Sequence, residues 1–341
     1  MTLYRIKNSI LILTTIVVFL LPALGLNAQH ADSIQFIPFG KPILQLHFNY
    51  HSTIASNINE SSMELRRAYL GYEYQISKEF AAYVKIDIGS PDDVSEYSRI
   101  RRYAYFKNAG LRYKKDKLET NVGIIDVLHF KLQEKIWGHR YIAKSFSDRY
   151  RFGPKADIGA NIMYKFNQFV EADFAIMNGE GYTNLQRDNT FKGGMGVTVY
   201  PFKNLIARVY YDLMDRGVVE STLATFIGYN DKKWALGCEY NHKFNKDYNE
   251  NHDQFGYSVY GSYNFLKKFQ LFARYDKLSS NILSTEDQPW NLLKDGSAII
   301  AGIQYSPIKQ VKIALDYQDW VPYAENMDNV AFIFVNFLVK I

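Results

Sequence analysis

Seven basic side chains, Lys131, Lys135, Arg140, Lys144, Arg149, Arg151 and Lys155, fall within the 29 residues from Val127 to Lys155. They face only two acids there, Glu134 and Asp148. A local charge of +5 in a short stretch attracts anions. Where such side chains ring a water-filled constriction, they select anions and phosphates. Interleaved Phe130, Trp137, Tyr141, Phe146, Tyr150 and Phe152 supply apolar area, which a solvated tail would lack. Leu128, Leu132 and Ile136 recur at helical spacing, and Gly138 is placed to end a short helix. Such a helix lays its apolar side on a wall and turns Lys131 and Lys135 toward a passage. The alternative leaves the stretch outside, its bases binding lipopolysaccharide phosphates or facing water.

Other candidate chemistry is sparse. The sequence has no nucleophile elbow, no HExxH and no glycine-rich phosphate loop, so no catalytic residues are assigned and no enzyme is expected. A hydrolase built from residues distant in sequence is the less favoured alternative. Asp247, Asn249, Asn251 and Asp253 alternate like calcium ligands, but His252 and Ser258 stand where a calcium loop needs Gly and Glu. These residues read as a polar loop tip, and no metal or cofactor is expected. His129 and His139 read as loop packing or lumen polarity. Cys238 alternates with Trp234, Leu236 and Tyr240 and reads as lipid-facing; a single cysteine excludes an internal disulfide.

The elements that must position the basic stretch are strands. Ala82, Val84, Ile86 and Ile88 alternate with Ala81, Tyr83, Lys85 and Asp87, and Leu205, Ala207, Val209 and Tyr211 alternate with Ile206, Arg208, Tyr210 and Asp212. A period of two separates the faces of a sheet. Sixteen such segments are read, at 42–52, 63–74, 79–89, 103–113, 117–126, 156–166, 168–178, 192–202, 204–214, 220–230, 233–243, 255–265, 268–278, 297–306, 309–320 and 329–341. Each is about the 10 residues that a tilted strand needs to cross a bilayer. Connections after even segments are tight, and those after odd segments are mostly long. That is the pattern of an all-β transmembrane up-and-down antiparallel barrel, with apolar side chains outward and a polar lumen. The 127–155 stretch is then its third external loop, folded into the lumen. Predicted wall residues include Arg67, Lys85, Lys165 and Arg208, mixed with Asp87, Asp157 and Asp173.

Residues 1–28 read as a cleaved export signal: Arg5 and Lys7, an apolar run from Ile10 to Leu21, then Pro22, Gly25 and Ala28. The barrel domain is expected over 29–341. The formal charge is +5 for the whole chain, and losing Arg5 and Lys7 leaves +3. The positive charge is therefore concentrated in one loop. Ile333, Val335, Phe337, Val339 and Ile341 alternate to the last residue, which resembles the terminal signal read by the barrel assembly machinery.

Three stretches resemble the phosphate-selective porin O and P family: LRRAYLGYEYQISKEFAAYVKIDIG (65–89), AYFKNAGLRYKKDKLETNVGIIDVLHF (104–130) and RFGPKADIGANIMYKFNQFVEADFAIMNGEGY (151–182). The resemblance implies a sixteen-stranded barrel in the bacterial outer membrane, assembled as a homotrimer and in contact with lipid and lipopolysaccharide. It implies a diffusion porin for small hydrophilic solutes, anions such as phosphate above all. By position, its constriction would be lined by Lys131, Lys135, Arg140, Lys144, Arg149 and Arg151. The competing class is a barrel with an occluded lumen serving a structural or adhesive role. No nucleic-acid partner is expected.

Overall fold

In the computed structural model, residues 36–55, 61–89 and 104–341 are described. The expected signal over 1–28 lies outside them, as does the connection expected at 90–102. Among the described residues, no helix is long and apolar enough to cross a membrane.

The chain from Pro38 forms one unit, a closed barrel of sixteen antiparallel strands. They are β1 (Phe39–Ala55), β2 (Ser61–Gln75), β3 (Phe80–Ile88), β4 (Ala104–Lys115), β5 (Leu118–Asp126), β6 (Ala156–Lys165), β7 (Val170–Met177) and β8 (Lys192–Val199), then β9 (Leu205–Asp215), β10 (Val219–Asn230), β11 (Trp234–Phe244), β12 (Gln254–Leu266), β13 (Phe269–Ser280), β14 (Gly296–Ile308), β15 (Val311–Pro322) and β16 (Val330–Lys340). Each strand pairs with its neighbours in sequence, and β1 closes on β16. The predicted segments recur as strands with ends shifted by a few residues.

Alternation decides the faces. On β7, Phe174 is exposed while Asp173 is buried. On β9, Val209 is exposed while Arg208 and Asp212 are buried, and on β15 Leu315 is exposed between buried Ala314 and Asp316. Exposed Cys238 shares the outward face with Trp234 and Tyr240. Near the short turns, outward aromatics pair across strands: Trp234 stacks on Tyr263 at 4.2 Å and Phe269 on Tyr305 at 4.9 Å, and Phe80 meets Tyr113 in a tilted contact at 4.9 Å. Amphipathic rings at this level form the interfacial girdle of a membrane barrel.

Among the register shifts of the described strands, two bear on the lumen. Between His47 and Phe48 of β1, the pairing partner jumps from Arg67 to Leu65, leaving Arg66 as an extra residue. Between Lys85 and Ile86 of β3, it jumps from Asn108 to Phe106, leaving Lys107 extra. These β-bulges shift the phase of the pleat. Arg66 and Arg67 consequently both point inward, as do Lys107 and Asn108.

The connection 127–155 holds two short helices, α1 (Lys131–Trp137) and α2 (Phe146–Arg149). Gly138 follows α1 in the left-handed conformation, φ 67°, and its amide bonds the Glu134 carbonyl.

Candidate functional site: the lumen and its third connection

The apolar residues of the 127–155 connection find their partners on inward strand positions. Ile136, Trp137, Tyr141, Ile142 and Ala143 cluster with inward-facing Phe226, Tyr260, Phe272, Ile300, Ala314 and Leu338. Phe146 and Phe152 pack on Leu278, with Tyr150 and Trp320 alongside. Full burial of each large side chain contributes about 1.5–3 kcal/mol. The connection therefore lies against the inner wall of β10–β16.

Polar anchors fix its backbone. Arg208 donates to the Leu128 carbonyl at 3.1 Å while holding Asp173 at 2.6 and 3.0 Å. Arg274 donates to the Lys144 carbonyl at 2.6 Å and binds Asp276 with two further nitrogens. Arg66 donates to the Ile142 carbonyl at 3.0 Å, and the Tyr260 hydroxyl to that of Gln133 at 3.1 Å. Ser147 donates to Glu239 at 3.0 Å, and Tyr150 to Asp276 at 3.2 Å. Within the connection, Glu134 joins Lys155 and Arg140, and Arg140 reaches Asp148 at 3.0 Å. His129 lies flat on Tyr210, ring centroids 4.8 Å apart, and bonds Asn241 at 2.9 Å. Burial lowers the His129 and His139 imidazoles to about 4, so both are neutral near pH 7.

The inward wall carboxylates Asp212, Glu239 and Asp276 are buried, with Asp212 paired to Lys192 at 3.4 Å and Asp276 to Arg274 at 2.6 Å. Asp157 is spent locally, accepting from the Ile158 and Gly179 amides. Asp87 is held by Arg67 at 3.4 Å and by the Tyr182 hydroxyl at 3.3 Å. A carboxylate already paired attracts little further cation.

Three cavities flank the connection. The one toward the long connections, about 670 Å³, is lined by Arg67, Arg140, Lys144, Arg151, Lys155, Lys192 and Lys243, against Asp148, Glu180 and Glu220. The one toward the short turns, about 580 Å³, takes Lys131, Lys135, Lys165 and Arg208, with Glu171 and Asp173. A third, about 150 Å³, brings Lys85, Asn108 and Lys131 to Asp126. Lys131 lies 3.8 Å from Asp126, and Lys165 lies 3.8 Å from Glu171. Arg149 is the basic residue of α2 that joins none of these linings; it covers the Tyr150 ring at 5.5 Å.

Sequence reasoning missed Arg66, Lys107, Lys192 and Lys243. Lys107 is 3% exposed and sits over the Tyr182 ring at 4.6 Å. Arg67, Lys85 and Lys107 all lie within 6 Å of the Tyr69 ring. One ring thus gathers three basic side chains. Among the described residues, no cluster of metal-ligating side chains occurs.

No protein-family profile matches the chain, and no curated protein sequence matches it. Solved structures do match. OmpT of Vibrio cholerae superposes with a TM-score of 0.61 at 13% identity, covering 91% of this chain and 99% of that one. Salmonella typhi OmpF, in complex with daunomycin, gives 0.67 at 12%, covering 89% and 97%. The outer-membrane channel DcaP of Acinetobacter baumannii gives 0.62 at 10%, covering 89% and 97%. At these identities the likeness is one of fold: a porin-like, sixteen-stranded barrel of the bacterial outer membrane.

Proposed function

We propose that the chain is a diffusion porin that passes small hydrophilic solutes and favours anions, phosphate among them, as in the phosphate-selective porin O and P family. The observation that carries this reading is the cavity facing the long connections, where seven basic side chains meet three acids. Charges within about 8–10 Å of a path are poorly screened at physiological salt, so the excess biases what enters. The wall acids pair with wall cations, Asp87 with Arg67, Asp173 with Arg208, Asp212 with Lys192 and Asp276 with Arg274, so each pair cancels and the exposed bases of the connection carry the excess. Lys131, Lys135, Arg140, Lys144 and Arg151 form the constriction, and Arg149 contributes only field.

A homotrimer fits this reading, and one of the similar barrels, V. cholerae OmpT, is described in a trimer form. We assign no catalytic activity. Ser147 and His129 both approach Asn241, but each is fully buried where the connection packs on the wall.

The test is reversal potential in a planar bilayer under a potassium chloride gradient. Lys131, Lys135 and Arg151 are exposed, so changing all three to Glu leaves the anchors intact. Wild type should be anion-selective and the triple variant shifted toward cations. Cation-selective wild type would refute the anion preference. A channel that does not conduct at all would favour the occluded, structural barrel.

A further inference from the structure

Inward positions of a membrane barrel are ordinarily polar. At the end nearest the long connections, several inward positions of β15 and β16 are instead aromatic. Register fixes the direction. Asn336 donates to Asp316 at 2.7 Å and both are buried, so Phe334 and Phe332, two and four residues away on β16, share the inward face. On β1, His51 pairs with Phe334 in register and approaches the Phe334 and Phe332 rings at 5.4 and 6.1 Å. The two phenylalanine rings are 5.7 Å apart. On β15, inward Trp320 lies diagonal to Phe332 and meets Tyr150 of the connection at 5.9 Å. Unlike Trp137 and Phe146, which are fully buried between the connection and the wall, Phe332, Phe334 and Trp320 remain partly exposed.

A cation stands beside this strip. The Ile142 carbonyl accepts from Arg66 at 3.0 Å and from Gln318 at 3.5 Å, and Gln318 is the register partner of Phe332. Arg66 is inward because of the β2 bulge, which also brings Arg67 to the cation-rich cavity.

We propose that this strip is a seat for the ring of an organic anion, an aromatic carboxylate being the simplest, whose charge Arg66 and then the cavity cations receive. The proposal rests on the anion preference above and adds an apolar face to the solute. Partly wet aromatic surface inside a pore gains by shedding water onto a flat partner. An inorganic or small aliphatic anion engages the cations alone, and a neutral ring engages the aromatics alone. A solute with both groups is retained more strongly, by about five-fold for one good ring contact.

The experiment uses benzoate and acetate as probes in planar bilayers. With wild type, benzoate should reduce potassium chloride conductance saturably, half-blocking at about a five-fold lower concentration than acetate. Phe332→Ser/Phe334→Ser should bring benzoate to the level of acetate while the chloride-over-potassium ratio stays the same. Should that barrel not assemble, Trp320→Ser is read in the same way. Equal blocking by benzoate and acetate in wild type overturns the seat, as does unchanged benzoate blocking in the variants. The chloride-over-potassium ratio reports the anion preference separately, so the two readings can fail independently.

Discussion

Acid should loosen the 127–155 connection, and His129 supplies a measurable part of the effect. Its ring is fully buried between Tyr210 and Phe130, and burial lowers its pKa from 6.5 to about 4. An undocked connection would expose the ring to water and restore its ordinary pKa. The docked state therefore loses stability as the pH falls from about 6.5 to about 4, and the loss is complete below that. Above pH 6.5 the imidazole is neutral in both states and contributes no dependence. At roughly 1.4 kcal/mol per pH unit, the span amounts to about 3 kcal/mol, or on the order of 100-fold in the docking equilibrium. Carboxylates titrate in the same range, so the comparison must isolate the histidine. His129→Phe keeps the stack on Tyr210 and gives up the bond to Asn241, which still accepts from Ser147 at 3.2 Å. That loss should cost about 1 kcal/mol at neutral pH. Open-channel noise in a bilayer, and tryptic cleavage within the connection, should rise between pH 7 and pH 4.5 much more steeply in wild type than in the variant. Identical pH profiles would refute the assignment of this buried imidazole as an acid-sensitive anchor.

Three further outcomes follow from the same contacts. Leu315→Arg on the lipid face should cost about 2–4 kcal/mol in urea-monitored unfolding, whereas Lys312→Ser on the lumen face should cost far less. Arg274→Met removes the partner of buried Asp276 and the donor to Lys144, and should cost about 3–5 kcal/mol of docking, read as conductance noise. Adding Asp276→Asn should recover much of it, because the uncompensated charge is gone. Arg140→Gln, which loses Asp148 and Glu134, should raise noise without changing the stability of the barrel itself.

Much of the fold was legible because a membrane barrel writes itself twice, in the period of its strands and in the alternating length of its connections. The lumen was only partly legible. A strictly alternating reading keeps one phase along each strand, and β2 and β4 change phase midway. The signal was present: outward Leu65 and Leu70 are five residues apart, as are outward Phe106 and Leu111, and an odd spacing on one face requires an extra residue. Read in that way, Arg66 would have been placed inside beside Arg67, and Lys107 beside Asn108. The pairing of Asp173 with Arg208 and of Asp276 with Arg274 was a different matter. It depends on which half of the lumen the connection covers, and no local pattern carries that. The charge that a solute meets is thus set less by the composition of the wall than by two bulges that add cations and one connection that removes acids from water.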